Sequence, residues 1–329
     1  MEAHIHKSPG LRNDLLVVIP RAEIEDVLFH IANRDRLRQL PGLQRHVARD
    51  PQHSDELASC KMPVEEHLRR LSVGGHTLLD CEGKPKRRMI AIGCRNVGNN
   101  HGFVAWQKDQ DPKLFHVWGE PLNYPYYSCL TKHQTGFSVR ALRFQGESVL
   151  EGGTDISEEV TWCVYANWVL RNGKVVSVED IIEQFFDIHH VLAYVRELDV
   201  GRRIEAEIFE GYPERFRENA LRALREKGVP RNRFLHGCLG LSEDNIYVLQ
   251  REGTIEEMAH WLREAGARDG LILENGGSPA CWAWWPYPKG GFLFTAPDYR
   301  PNATAVIAFV LKGPVNTDLP TGSVSFSVV

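Results

Sequence analysis

The 329-residue chain has no long hydrophobic run. Nothing in it approaches the roughly 20 consecutive apolar residues that a membrane-crossing helix needs. Near the start, only Leu15 to Ile19 is continuously apolar before Pro20 interrupts, short of the roughly 7–15 residues of a secretory signal. The expectation is a cytoplasmic protein with no membrane partner. Cysteine lacks a pattern: seven residues, an odd number with no CxxC pair, argue against a disulfide framework or a structural zinc site. Excess positive charge is missing too. A net charge of −4 and a pI near 6.4 argue against a nucleic-acid backbone as main partner, and the basic run Lys84 to Arg88 reads as a solvated loop. The phosphate-cradling G-x-x-x-x-G-K-[ST], the nucleophile elbow G-x-S-x-G and the dinucleotide glycine fingerprint are all absent. Nucleotide hydrolysis, serine esterase and nicotinamide chemistry therefore draw no support. No cofactor or metal is expected: His189 and His190, adjacent on an expected helix, would point about 100° apart and cannot chelate one ion together.

What is present is ordinary soluble composition, 43% hydrophobic and 25% charged. Residues 1–80 read as a helical N-terminal extension. In "RAEIEDVLFHIANRDRLRQL", Ile24, Val27, Leu28 and Ile31 fall on one helical stripe, and "PVEEHLRRLSVGG" is a second short helix. From about 86 to 175 the texture turns to short apolar or alternating runs, with a hairpin signal at Asn172-Gly173. Helical spacing returns over 177–229. Two strands around a turn follow in "RFLHGCLGLSEDNIYVLQ", then one helix in "GTIEEMAHWLREAGA" and one buried strand in "DGLILENGG". The predicted fold is α+β: a mixed β-sheet core with packed helices over 81–329, plus the helical extension.

The segment "LILENGGSPACWAWW" concentrates the chemistry. "GLIL" is apolar on both faces, as in a strand buried mid-sheet. It ends in Glu274, Asn275, Gly276, Gly277 and Ser278, which puts a carboxylate at a sheet rim beside glycines that let backbone N–H groups approach a ligand. A Gly-Gly turn with a surface glutamate is the competing reading. Trp282, Trp284 and Trp285 follow, suited to stacking on a sugar face or to plain core packing.

"GTIEEMAHWLREAGARDGLILENGGSPACW" resembles the phosphodiester glycosidase family, whose pattern is a Gly-rich turn, a helix, and an apolar strand ending Asp-Gly-Gly-Gly-Ser. Glu274, Asn275, Gly276, Gly277 and Ser278 occupy those last five positions. "RFLHG" resembles the family's Arg-x-x-x-Gly strand and carries over Arg233 and Gly237. "YRPNATAVIAFVLKG" resembles the closing strand and carries over Arg300. The likeness covers about 230–312, is weaker at 160–176 and is absent over 1–80. Two departures stand out: the family's Asp is Glu274 here, and its first Gly is Asn275.

The resemblance implies a hydrolase for a small-molecule substrate, a sugar phosphate or glycosylated compound. Glu274 would be the key carboxylate, nucleophile or general base, with Arg233 and Arg300 as phosphate clamps. His236 would be the general acid if one is needed, and Asn275, Gly276, Gly277, Ser278 and Trp282 would line the substrate. Surface arginines and a satisfied core histidine are the competing readings of Arg233, Arg300 and His236. Two further functions use the same scaffold: a tailoring step in bacterial natural-product biosynthesis, or binding without catalysis.

Overall fold

The computed structural model describes residues 4–6, 15–34, 61–94, 103–117, 126–134, 136–177, 180, 218, 222, 233–275, 280–283, 292–295 and 302–313. Antiparallel β-structure dominates them. The first sheet runs, in spatial order, β1 (His4–His6), β2 (Leu15–Pro20), β18 (Asn245–Gly253), β17 (Phe234–Leu241), β19 (Asp269–Asn275), β15 (Asn167–Arg171) and β16 (Lys174–Val175). The second runs β13 (Thr154–Asp155), β12 (Ser148–Glu151), β11 (Gly136–Gln145), β10 (Tyr127–His133), β14 (Val160–Tyr165), β8 (Phe103–Gln107) and β9 (Leu114–Val117). The third runs β21 (Phe292–Thr295), β20 (Ala280–Ala283), β7 (Met89–Cys94), β23 (Ala305–Leu311) and β3 (Ile24–Ile31). Two small ribbons pair β4 (Met62–Pro63) with β22 (Asn302–Ala303) and β5 (Ser72–Val73) with β6 (His76–Thr77).

One apolar core joins all three sheets. Leu15, Val17 and Ile19 of β2 alternate inward, as do Leu239 and Leu241 of β17 and Val27, Phe29 and Ile31 of β3. β23, with the sequence AVIAFVL, is buried along its whole length. Ile307 and Phe309 join the main core, while Val306, Ala308 and Val310 meet α1 (Val64–Arg70) on the outer face. Trp162 ties the second sheet to the third: its ring stacks on Phe29 at 5.0 Å and its Nε1–H donates to the Val27 carbonyl at 3.2 Å. Buried aromatic pairs of this kind contribute about 0.5–1.5 kcal/mol beyond their area.

The second helix, α2 (Ile255–Glu264), lies on the outer face of the first sheet and buries Ile255, Met258, Ala259 and Leu262. Its start is fixed by a reciprocal cap, with the Thr254 hydroxyl accepting from the Glu257 N–H and the Glu257 carboxylate accepting from the Thr254 N–H. Close approach depends on glycine. A Cβ at Gly240 would stand 2.9 Å from Ala267 Cβ and 3.0 Å from Leu262 Cδ2, and one at Gly270 would stand 2.7 Å from Leu262 Cδ1.

These observations correct the predicted fold class. The described residues are mostly β rather than α+β, and every described pairing is antiparallel, so the sheets are not mixed. The extension over 1–80 has, among its described residues, more strand than helix. Its expected first helix is strand β3, because Val27, Phe29 and Ile31 also satisfy a two-residue period and β23 pairs with them over the whole length. The short helix near residue 64, the helix near 255 and the Asn172-Gly173 hairpin are found, the last with φ of 50° and 76° at its tip. Nearly all of the two helical segments expected over 177–229, and the His189-His190 pair, lie outside the described residues.

The glycine contacts give a direct test. Gly270→Ala is expected to lower unfolding free energy by about 1–3 kcal/mol through overpacking against Leu262. Gly136→Ala, where no atom lies within 4 Å of the new Cβ, is expected to change it by less than about 0.5 kcal/mol; urea denaturation of the two variants compares them.

Candidate functional site between two sheets

β17 and β19 pair regularly from Leu241–Asp269 to Cys238–Ile272, and then the register slips. Gly237 is opposite Glu274 and His236 opposite Asn275, so Leu273 is one residue extra. Strict alternation after Leu271 and Leu273 would turn Glu274 toward the α2 face. A bulge lets two successive side chains keep to one face, and it brings Glu274 into the register of Gly237, Leu239 and Leu241, which look into the inter-sheet space. Glu274 is 8% exposed, a carboxylate at a strand end yet buried.

On its other flank Gly237 pairs with Gln250 of β18. Glu274, Gly237 and Gln250 thus form one row across three neighbouring strands. Two strand spacings separate the outer Cα atoms by about 10 Å, and the middle position carries no side chain. Gln250 follows Ile246 and Val248 in the inward alternation of β18 and is 2% exposed. Its Nε2 makes no hydrogen bond, which leaves a buried donor costing about 1–3 kcal/mol. Facing this row across the sheets are Ile92 and Gly93 of β7 and Cys281 of β20, which with Gly237, Gln250 and Leu273 line a small, mostly apolar cleft. Burial pushes the Cys281 thiol up to about 12, so it is a small apolar wall rather than a thiolate nucleophile.

The other residues expected at the site divide into four groups. Arg233 is exposed, with 54% of its side chain accessible, and its guanidinium meets both carboxylate oxygens of Glu257 at 2.9 and 2.8 Å. The hydrogen bond from the Thr254 N–H and then the one from Arg233 hold the Glu257 carboxyl below its ordinary range. Arg233 therefore serves the start of α2, on the face opposite the cleft, and the structure does not bring it to Glu274. His236 is fully buried, and its Nε2–H donates to the Gly253 carbonyl at 3.1 Å. Burial lowers its pKa to about 4, so at neutral pH the ring carries no extra proton to give. Asn275 and Trp282 are placed by backbone pairing alone, Asn275 with His236 and Trp282 with Ala91 and Leu293. Gly276, Gly277, Ser278, Arg300, Trp284 and Trp285 lie outside the described residues. Gln250 is the residue that sequence reasoning missed; a polar side chain at an inward position of the alternating run "IYVLQ" was its available signal.

Among the described residues no group of three or more His, Cys, Asp or Glu side chains converges as a metal site, and no helix is long and apolar enough to cross a membrane. No protein-family model matches the chain, nor does any curated protein. Solved structures resemble it distantly. The catalytic domain of zebrafish N-acetylglucosamine-1-phosphodiester alpha-N-acetylglucosaminidase, auto-inhibited by its pro-peptide, matches over 91% of this chain and 77% of its own, at 11% identity and a TM-score of 0.45. A hypothetical protein from Synechocystis matches over 94% of this chain and 61% of its own, at 9% identity and a TM-score of 0.40. An exported-protein candidate from Burkholderia pseudomallei K96243 matches over 91% and 74%, at 8% identity and a TM-score of 0.37. Likeness at this level is one of strand arrangement and says nothing about chemistry.

The buried histidine gives a pH prediction. The unfolded chain takes up a proton at His236 as pH falls below 6.5, whereas the folded chain resists until about 4. Stability is therefore complete above pH 6.5 and declines toward pH 4, by at most about 3 kcal/mol from this group. His30, lowered to about 4, and His67, lowered to about 3, both chiefly by burial, act in the same direction. The unfolding free energy from urea denaturation should fall with acid across that window for the wild type and fall less for His236→Gln.

Proposed function

We propose that the chain is a hydrolase that cleaves the glycosidic bond of a sugar-1-phosphodiester or related glycosylated compound, with Glu274 as the acting carboxylate. The observation that carries this reading is the buried Glu274, paired across the bulge with Gly237, a residue that lines the inter-sheet cleft. Support also comes from the sequence resemblance over 230–312, in which Glu274 to Ser278 stand where phosphodiester glycosidases have Asp-Gly-Gly-Gly-Ser.

In this reaction the bond from the anomeric carbon to the phosphate oxygen breaks and that carbon gains an oxygen from water. The phosphate monoester departs with the bonding electron pair on its oxygen as a stable anion, so little general acid is required, which suits a neutral His236. With Arg233 held by Glu257, the role of phosphate clamp passes in this reading to Arg300 and to the backbone N–H groups of Gly276, Gly277 and Ser278.

Glu274→Gln is expected to reduce kcat by at least about 100-fold on any sugar phosphodiester that the wild type cleaves, with the melting temperature nearly unchanged. Release of free sugar from a panel of p-nitrophenyl and nucleoside-linked sugar phosphodiesters measures it. Full turnover in Glu274→Gln would remove this reading, and tight binding of the panel compounds without turnover would favour a binding protein instead.

A further inference from the structure

Gln250 has no part in the function proposed above, yet its surroundings suit a ligand. It is a buried amide, its Nε2 makes no hydrogen bond, and it lines the cleft. The donor is not satisfied by its own sheet, because the strand position beside it is Gly237 and the inter-sheet wall facing it is Ile92, Gly93 and Cys281. On the far side of that glycine stands Glu274. A carboxylate that accepts hydrogen bonds and a carboxamide N–H that donates one therefore flank a position with no side chain. What complements such a pair is a small oxygen that donates on one side and accepts on the other.

We propose that Gly237, Gln250 and Glu274 form a seat for the attacking water, with Gln250 Nε2 donating to the water oxygen and the Glu274 carboxylate accepting one of its protons. This deepens the hydrolase reading and rests on it. The donation from Gln250 leaves a lone pair of the water aimed away from the amide, and Glu274 removes a proton as the oxygen bonds to the anomeric carbon. The carbon–phosphate oxygen bond breaks at the opposite face and the phosphate leaves with its electron pair. The proton on Glu274 then passes to solvent, so atoms and charge balance without a further reactant. Glu274 acts here as general base rather than nucleophile, and the configuration at the anomeric carbon inverts. Gly237 keeps the seat open: a methyl there stands between the two polar groups.

Three measurements test the seat. The anomeric configuration of the first-formed sugar, followed by NMR during turnover of a sugar phosphodiester by the full chain, should be inverted; retention means that Glu274 itself attacks, and it overturns the water seat while leaving the hydrolase reading standing. Gln250→Leu should lower kcat by about 100-fold with little change in KM, while the melting temperature stays level or rises because an unsatisfied buried donor has been removed. A marked fall in melting temperature, or a raised KM with kcat intact, would show that Gln250 holds the fold or the substrate instead. A high-resolution crystal structure of the unliganded protein should contain an ordered water within hydrogen-bond distance of both Gln250 Nε2 and a Glu274 oxygen. An amide turned onto a protein acceptor with no bridging water overturns the proposal. If the wild type cleaves no compound of the panel, the hydrolase reading fails, and the crystal structure alone then decides whether the seat exists.

Discussion

The candidate site depends on a slip of one residue in the pairing between β17 and β19. Up to Ile272 the two strands follow ordinary alternation, and Leu271 of β19 packs on the inter-sheet core. The extra Leu273 shifts the pairing of the residues after it, so that a buried acidic residue comes opposite Gly237, beside a space lined by Ile92, Leu273 and Cys281. Burying a carboxylate there costs free energy unless it has partners. A strand end is the place for it, because the sheet opens there and bulges commonly re-aim a side chain. Gly237 takes part twice, as partner of Glu274 on one side and of Gln250 on the other.

The rest of the molecule keeps that row rigid. β17 is a central strand, paired along its length with β18 and along most of it with β19. Behind it α2 sits close because Gly240, Gly253 and Gly270 offer no Cβ to hold it off. In front, β7 and β20 of the third sheet form the opposite wall. The polar groups of this region serve two ends. Arg233, Glu257 and Thr254 complete the start of the helix on the outer face, where solvent screens their charges and the cap contributes about 1 kcal/mol. Glu274 and Gln250 lie on the inner face, where low polarity strengthens any hydrogen bond to a ligand. His236 belongs with the first group: it donates to the Gly253 carbonyl just before α2 begins, and burial keeps it neutral.

Several features are legible along the chain because their causes are local. The Asn172-Gly173 turn needs positive φ at both residues and these two types supply it. Helix α2 declares itself by an apolar stripe at 3.6-residue spacing, behind a Thr-x-x-Glu cap. The run "GLIL" reads as a buried strand, with Glu274 at its end. The stretch from Ile24 to Ile31 misleads because it fits two periods at once. Ile24, Val27, Leu28 and Ile31 make a helical stripe, and Val27, Phe29 and Ile31 make a strand face. β23, nearly the whole chain length away, decides between them by pairing from Ile31–Ala305 to Ile24–Leu311.

Glu274, Gly237 and Gln250 show the same division. Short-range order in the chain settles which residue types stand at strand ends and turns, since propensity and chirality act over a few residues. An acid beside glycines is therefore marked as a place for chemistry before any folding is considered. Other facts emerge only when the sheets are assembled: Arg233 belongs to a helix cap, one inserted leucine turns the acid inward, and a glutamine some two dozen residues upstream meets it across a glycine. Register between strands is set by the sum of many distant side-chain and backbone contacts, and no local pattern contains that sum.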